Sequence, residues 1–144
     1  MIYFDTSALV KKYFQESGTQ VVRQLLAEQG DCGISKIAYA EVCATFGRKT
    51  REHLRDRRIY LRGLQSFQED WKLLTVVELV DEFFPVIRTL TEKYPLRGAD
   101  AIHLASALWL QRALRDEVIF VAADVTLLNA AHGEKLKVMN PERE

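Results

Sequence analysis

Hydrophobic residues along this chain occur either in short consecutive runs or at spacings of three and four positions. Short runs predict buried strands, and the wider spacing predicts amphipathic helices. The strand candidates are 1–4, 32–34, 73–79, 118–122 and 136–139, and the helix candidates surround 8–10, 21–26, 37–45, 59–71, 80–93, 99–114 and 127–131. Because strands alternate with helices, we predict an α/β protein with three α/β/α layers and a mainly parallel sheet of four or five strands.

Several residues mark the expected ends of these elements. Gly30 is placed to close the second helix, and Ser35 is placed to cap the helix after the second strand. Pro85 either kinks the helix over 80–93 or stands in its first turn. The helices over 37–45 and 59–71 follow each other closely enough to form a hairpin.

Composition indicates one ordinary compact domain over residues 1–144, since 48% of the residues are hydrophobic and 28% are charged. A domain of this size folds without a structural metal, so any metal would serve chemistry. Cys32 and Cys43 lack the spacing of a zinc or redox motif. With no apolar run long enough for a membrane span and no leader-like N-terminus, we expect a cytoplasmic protein without a membrane partner.

The formal net charge is zero, so the chain as a whole gives no sign of a polyanionic partner. The stretch between Arg48 and Arg62 departs from this balance. Its cations are Arg48, Lys49, Arg51, Arg55, Arg57, Arg58 and Arg62, against the two acids Glu52 and Asp56. The stretch fits either a phosphate-binding surface or an ordinary solvated helix face.

Four acids lie at predicted strand ends or inside apolar helices, where an ionised carboxylate is costly. They are Asp5, Glu41, Asp100 and Asp124. If the strands before Asp5 and Asp124 are neighbours in a parallel sheet, their carboxylates emerge at the same edge. The helices that carry Glu41 and Asp100 can then close over them, which gathers four carboxylates in one cleft.

Carboxylates held this close call for a cation, and hard oxygen ligands favour Mg²⁺ or Mn²⁺. Such a site is typical of phosphodiester hydrolysis. Taken singly, Asp5, Asp100 and Asp124 also fit ordinary helix-cap, first-turn and turn positions. Glu41 has no lysine or arginine three or four residues away, and its neighbours predict a buried helix face.

Two motifs resemble the PIN-domain ribonuclease family along essentially the whole chain. The segment Ala99-Asp100-Ala101-Ile102-His103-Leu104-Ala105 resembles the family's A-D-A-x-H-L-A helix start. The segment Tyr3-Phe4-Asp5-Thr6-Ser7-Ala8-Leu9 resembles its opening strand, and Ala40-Glu41-Val42 its helix glutamate. The resemblance implies that these three acids are metal ligands and catalytic residues.

The fourth acid, Asp124, is preceded by Ala122-Ala123, where the family commonly has Ser or Thr two places earlier. The resemblance still implies that Asp124 is a ligand, and that Thr6 or Ser7 contacts the metal site or the scissile phosphate. Both hydroxyls also fit helix caps. His103 is interpreted as a packed, hydrogen-bonded imidazole on an apolar helix, in preference to a base or ligand.

The resulting hypothesis is a metal-dependent endoribonuclease, resembling the toxin of a VapBC toxin–antitoxin pair, whose products carry a 5′-phosphate and a 3′-hydroxyl. Candidate RNA contacts are Lys11, Lys12, Arg97 and the basic stretch from Arg48. The resemblance also implies a VapB-like antitoxin partner and a homodimer. The alternatives are a non-catalytic binding module and a housekeeping RNA-processing nuclease, whereas a phosphoryl-enzyme mechanism is disfavoured because Thr6-Ser7 supply hydroxyls where a second acid is expected.

Overall fold

A five-stranded parallel sheet forms the centre of the computed structural model, which describes residues 1–143. The strands are β1 (Ile2–Phe4), β2 (Cys32–Ser35), β3 (Thr75–Val77), β4 (Ile119–Val121) and β5 (Lys137–Met139). Their order across the sheet is β3-β2-β1-β4-β5, and every neighbouring pair is parallel. The predicted parallel sheet is confirmed, with five strands.

The helices of the described chain follow the predicted order. They are α1 (Thr6–Leu9), α2 (Thr19–Glu28), α3 (Ile37–Glu52), α4 (Arg57–Trp71), α5 (Phe84–Lys93), α6 (Gly98–Leu114) and α7 (Val125–Gly133). The helix predicted over 80–93 divides into a 3₁₀ turn at Asp81–Phe83 and α5, with Pro85 in the first turn of α5. None of the helices in residues 1–143 combines the length and the hydrophobicity that a transmembrane segment needs.

Two hydrophobic cores lie on opposite faces of the sheet. Along β1 the side chains alternate, so that Ile2 and Phe4 join one core and Tyr3 joins the other. The first core packs against α1 to α4, and the second against α5 to α7. The predicted arrangement of three α/β/α layers is therefore confirmed.

The buried face of α3 differs from the face that the sequence predicts. Ala38, Val42 and Phe46 are buried, whereas Ala40 and Ala44 are exposed. Alanine is small enough to be tolerated on either face, so the larger Val42 and Phe46 decide which side of α3 packs on the core. Glu41 consequently lies at the border of the packed face, and its side chain keeps 36% of its accessible surface.

The start of α3 also differs from the prediction, because Ser35 is the fully buried last residue of β2 and Lys36 precedes the helix. The Ser35 hydroxyl still accepts a hydrogen bond from the Ile37 amide, at 3.4 Å. Ser35 thus supports the first turn of α3 from the end of the strand.

The central strand fixes where a ligand can enter. β1 lies between β2 and β4. From β1 the strand order continues through β2 to β3 on one side and through β4 to β5 on the other, so the order reverses at this point. In open α/β sheets, ligands bind at such a switch point, outside the carboxyl ends of the strands. The Asp5 amide donates to the Val121 carbonyl at 2.9 Å, which ties the residue after β1 to the end of β4.

Candidate active site

Asp5 is buried at the carboxyl end of β1, with 5% of its surface exposed. One of its carboxylate oxygens, Oδ2, accepts hydrogen bonds from the Ser7 amide and the Ser7 hydroxyl. The Ser7 hydroxyl in turn accepts a hydrogen bond from the Ala123 amide at 3.1 Å. Ser7 therefore fixes Asp5 and links it to the segment after β4, which leaves Oδ1 of Asp5 directed at a different neighbour.

That neighbour is His103 on α6, which lies between two of the predicted site carboxylates. Its Nε2 is 2.7 Å from Oε1 of Glu41 and 3.6 Å from Oδ1 of Asp5. The Thr6 hydroxyl donates to the same Glu41 oxygen at 2.8 Å and lies 3.1 Å from Nε2. The structure thus brings Asp5, Thr6 and Glu41 together around one imidazole nitrogen.

The other ring nitrogen of His103 faces the core. Nδ1 lies 3.1 Å from the Tyr3 hydroxyl, and Tyr3 is itself fully buried against the ring of Phe120. The sequence interpretation of His103 as a packed, hydrogen-bonded imidazole describes its burial, but its partners are site residues. A chain of contacts therefore runs from the core at Tyr3 through His103 to Glu41.

The pKa values of Asp5, Glu41 and His103 depend on one another. Burial lowers the pKa of His103, but the hydrogen bond to Glu41 and the charges of Asp5, Glu41 and Asp100 outweigh burial and raise it overall. For Asp5, burial is the largest effect and raises the pKa in spite of His103 and Ser7. Burial raises the pKa of Glu41, but the hydrogen bonds from His103 and Thr6 and the charges of His103 and Arg97 together lower it overall.

Asp100 stands in the first turn of α6 and is held by the residue before the helix. Its Oδ2 accepts hydrogen bonds from the Arg97 amide at 3.1 Å and from Arg97 Nε at 3.4 Å. The carboxylate is 14% exposed, whereas the Arg97 side chain is 84% exposed. Asp100 therefore stabilises the start of α6, as one of the sequence interpretations expects, while its charge acts on His103.

Asp124 is the N-cap of α7. Its Oδ1 accepts a hydrogen bond from the Leu127 amide at 2.9 Å, as the cap interpretation of the sequence expects. The Asp5–Glu41 pair is thus assembled around His103, whereas Asp100 and Asp124 are each held by the start of their own helix.

The donor chemistry of the cleft fits a hard divalent cation, because its acids supply carboxylate oxygens and one of them, Asp5, is buried. Burial and the charge of Glu41 raise the pKa of Asp5, so a cation beside it would be strongly stabilised. With the side chains in their present positions, however, no three acidic, histidine or cysteine side chains among residues 1–143 converge closely enough to form a metal site. Glu41 is instead held by His103 and Thr6.

The predicted RNA-contact residues have different surroundings. Lys11 is only 4% exposed, and its amine pairs with Glu16 at 3.2 Å and Glu142 at 2.7 Å. This placement does not fit the predicted phosphate contact, because the Lys11 amine is buried and is already paired with two carboxylates. Lys12 pairs with Asp70, while Arg48 and Arg97 are exposed.

Sequence reasoning missed the part that His103 and Tyr3 play in the site. A signal was present, because His103 follows Asp100 by three positions and therefore lies on the same side of α6. The motif around Asp100 also contains this histidine. The contact with Tyr3 spans 100 positions of the sequence, and no local pattern predicts it.

Taken together, the fold and the site define an α/β/α protein with an acidic cleft at the carboxyl end of its central strand. The PIN domain family model matches residues 2–132. The chain belongs to the PIN domain family, as the motifs predict.

Known proteins similar to this chain include a curated relative and two solved structures. Ribonuclease VapC45 from Mycobacterium tuberculosis is 32% identical over 139 residues, which is 96% of this chain and 94% of the relative. A toxin–antitoxin complex from Klebsiella pneumoniae contains a similar chain, with a TM-score of 0.64, 18% identity and 98% of both chains covered. PAE2754 from Pyrobaculum aerophilum has a TM-score of 0.67 and 18% identity, over 99% of this chain and 84% of the other. At 18% identity the two structures show a shared fold.

Proposed function

We propose that this protein is a divalent-metal-dependent endoribonuclease and the toxin of a type II toxin–antitoxin pair. The observation that carries the proposal is the convergence of Asp5 and Glu41 on Nε2 of His103, at the switch point of the sheet. Two carboxylates held this close are stabilised by a positive charge. The 32% identity to a protein named as a ribonuclease supports RNA hydrolysis as the reaction.

The residues proposed to hold Mg²⁺ or Mn²⁺ are Asp5, Glu41, Asp100 and Asp124. When bound, such a cation neutralises the carboxylates, takes phosphate oxygens as ligands and lowers the pKa of a coordinated water. Among these acids, Glu41 has a lowered pKa and therefore stays ionised at neutral pH. To hold a cation, Glu41 would use the carboxylate that now contacts His103.

The remaining residues of the cleft orient these acids. Ser7 holds Oδ2 of Asp5 through its amide and hydroxyl, which leaves Oδ1, 3.6 Å from His103 Nε2, as the oxygen that would bind a cation. Thr6 donates to Glu41 and so orients its carboxylate. Arg97 is exposed beside Asp100, where its guanidinium can pair with an RNA phosphate.

The direct test is cleavage of a mixed RNA pool by the purified protein in Mg²⁺, Mn²⁺ or EDTA, after any bound partner has been removed. We expect cleavage with either metal, none in EDTA, and a loss of about tenfold or more for Asp100→Asn. Asparagine keeps an oxygen that can accept from the Arg97 amide, so the start of α6 is preserved. Asp116→Asn, an exposed loop acid, is the matched control.

Cleavage that persists in EDTA, or equal cleavage by wild type and Asp100→Asn, would contradict the proposal. A second candidate function is a non-catalytic nucleic-acid or protein-binding module. It is favoured by the contacts with which His103 and Thr6 already hold Glu41. RNA binding without metal-dependent cleavage of any RNA in the pool would establish that second function.

We further propose that the protein pairs with an antitoxin and forms a homodimer in the cytoplasm. The exposed apolar residues Ile59 and Leu61 on α4 offer a surface for an antitoxin segment, and Phe84 and Trp109 offer one for a second copy. The similar fold of the Klebsiella pneumoniae toxin–antitoxin complex supports the first pairing. The unpaired cysteines of the described chain fit a reducing compartment.

For the homodimer, we expect light scattering of the purified chain to give about twice the 16.6 kDa chain mass, and Phe84→Glu to give a monomer. Leu114→Glu places the same charge on another exposed apolar side chain and should stay dimeric. A monomeric wild type would refute the dimer.

Growth arrest on expression, relieved by a co-purifying neighbouring gene product, would distinguish the toxin from a housekeeping nuclease.

A further inference from the structure

Helices α3 and α4 pack against each other and form the predicted hairpin. The tip of this hairpin, residues 48–62, concentrates positive charge. We call its seven cations the arginine tip: Arg48, Lys49, Arg51, Arg55, Arg57, Arg58 and Arg62. Only two acids, Glu52 and Asp56, lie in the same stretch. The tip therefore carries an excess of five positive charges on a chain whose formal net charge is zero.

The side chains of the arginine tip are available to a partner. Six of the seven are exposed, and Lys49 lies over the ring of Phe14 with its amine 4.7 Å from the ring centre. Within residues 1–143, none of the seven forms an ion pair, although six lysines elsewhere on the chain do. Like charges left without counter-ions repel one another, so a polyanion on this surface would remove an unfavourable interaction.

Helix α3 connects the candidate active site to the arginine tip. Arg48 follows Glu41 by seven positions on α3, so both residues lie on the same helix face. At the rise of an α-helix, their backbones are about 10 Å apart along the axis. A polyanion on the tip can therefore extend past Arg48 toward the carboxylates.

We propose that the arginine tip is a phosphate-binding surface that anchors single-stranded RNA beside the carboxylate cleft. The inference rests on the proposed ribonuclease function and adds the place where the substrate is held. Six of the seven cations are arginines, whose planar guanidinium pairs with phosphate through two parallel hydrogen bonds. The apolar surface proposed for the antitoxin, Ile59 and Leu61, lies in the same stretch, so an acidic protein segment is the rival occupant of these cations. The alignment of Arg48 with Glu41 favours RNA, because the substrate must also reach the cleft.

The test measures binding of a fluorescein-labelled single-stranded RNA in EDTA, where hydrolysis does not interfere. The variant is Arg51→Gln combined with Arg55→Gln and Arg58→Gln. We expect its Kd to rise at least about tenfold at low salt, and the slope of log K against log salt to fall by about 2 for three lost contacts. In cleavage assays with metal, KM should rise while kcat changes little.

A matched control replaces three exposed cations outside the tip by glutamine: Arg112 in the last turn of α6, Arg115 directly after α6, and Lys135 before β5. This variant should bind RNA as wild type does. Equal losses in both triple variants would show a general charge effect and overturn the proposal. Loss of polyglutamate binding with RNA binding unchanged would also overturn it, in favour of an acidic protein partner.

The two proposals can fail separately. Suppose that wild type cleaves no RNA, but that the tip variant loses RNA binding and the control variant keeps it. The RNA-anchoring surface is then supported, and the nuclease proposal is not. If wild type cleaves RNA with metal and the tip variant keeps the wild-type Kd and KM, the nuclease stands and the anchoring surface is refuted. Unchanged thermal unfolding of both triple variants would confirm that surface charge alone was altered.

Discussion

Replacing Asp5 by asparagine is expected to lower metal-dependent RNA cleavage by about a thousandfold or more. Asp5 is buried at the end of the central strand and is the acid whose position is most firmly fixed, by Ser7. Asparagine has the same size and can still accept from the Ser7 amide, but it has no charge with which to hold a divalent cation. The measurement is the initial rate of cleavage of the best substrate from the RNA pool, in saturating Mg²⁺ or Mn²⁺.

The same substitution should not reduce stability in EDTA. The pKa of Asp5 is raised in the folded protein, so the folded chain binds this proton more tightly than the unfolded chain does. Between the ordinary and the raised pKa, stability therefore falls as pH rises, because ionisation of Asp5 opposes folding. Asp5→Asn removes that cost, and we expect a free energy of unfolding at least equal to that of wild type.

Asp31→Asn is the matched control for this prediction, because Asp31 is exposed at the opposite end of the neighbouring strand. It should leave cleavage unchanged. An Asp5→Asn protein that is folded and still cleaves at the wild-type rate would refute the site. A protein that loses both cleavage and stability would point to a structural role for Asp5.

Replacing His103 by leucine is expected to lower the free energy of unfolding in EDTA by about 2 kcal/mol or more. Removing one member of a buried ion pair typically costs about 3–5 kcal/mol, and the partial exposure of Glu41 reduces this value. The substitution leaves Asp5 and Glu41 close together without a positive charge, and it removes the partner of the Tyr3 hydroxyl. Denaturant unfolding in EDTA measures the loss without compensation by a metal.

The loss should depend on pH in a defined direction. The pKa of His103 is raised in the folded protein, so its stabilising effect is complete below the ordinary histidine pKa and disappears as pH rises through the raised value. The difference between wild type and His103→Leu should therefore be large at about pH 6 and smaller at about pH 9. His132→Leu, at an exposed histidine on α7, should show no such dependence. A pH-independent difference would mean that His103 contributes by packing alone.

Much of the candidate site follows from local sequence. Asp5 could be placed at a strand end because an apolar run of four residues stops directly before it, and Asp124 because it follows another such run. The alanine- and leucine-rich segment from Ala99 identified α6 and put Asp100 in its first turn. The comparisons confirm the family that these motifs predict, whereas the roles of the acids as metal ligands stay predictions.

Other features depended on partners far away in the chain. The exposure of Glu41 follows from which face of α3 packs on the core, and small alanines on both faces made that face ambiguous. Lys11 looked like a surface cation, but its partner Glu142 is 131 positions away. The pairing of Lys12 with Asp70 spans 58 positions. Sequence patterns carry no information about such pairs.

The sequence by itself determined the alternation of strands and helices, the layer order and the chain positions of the acids, because periodic burial is a local property of the polypeptide. Only the tertiary structure decided that Asp5 and Glu41 converge on His103, and that Tyr3 fixes the other side of that imidazole. The physical reason is that hydrogen bonds and charge interactions act over a few ångströms. Which side chains come within that range is set by the packing of β1, α3 and α6 against one another.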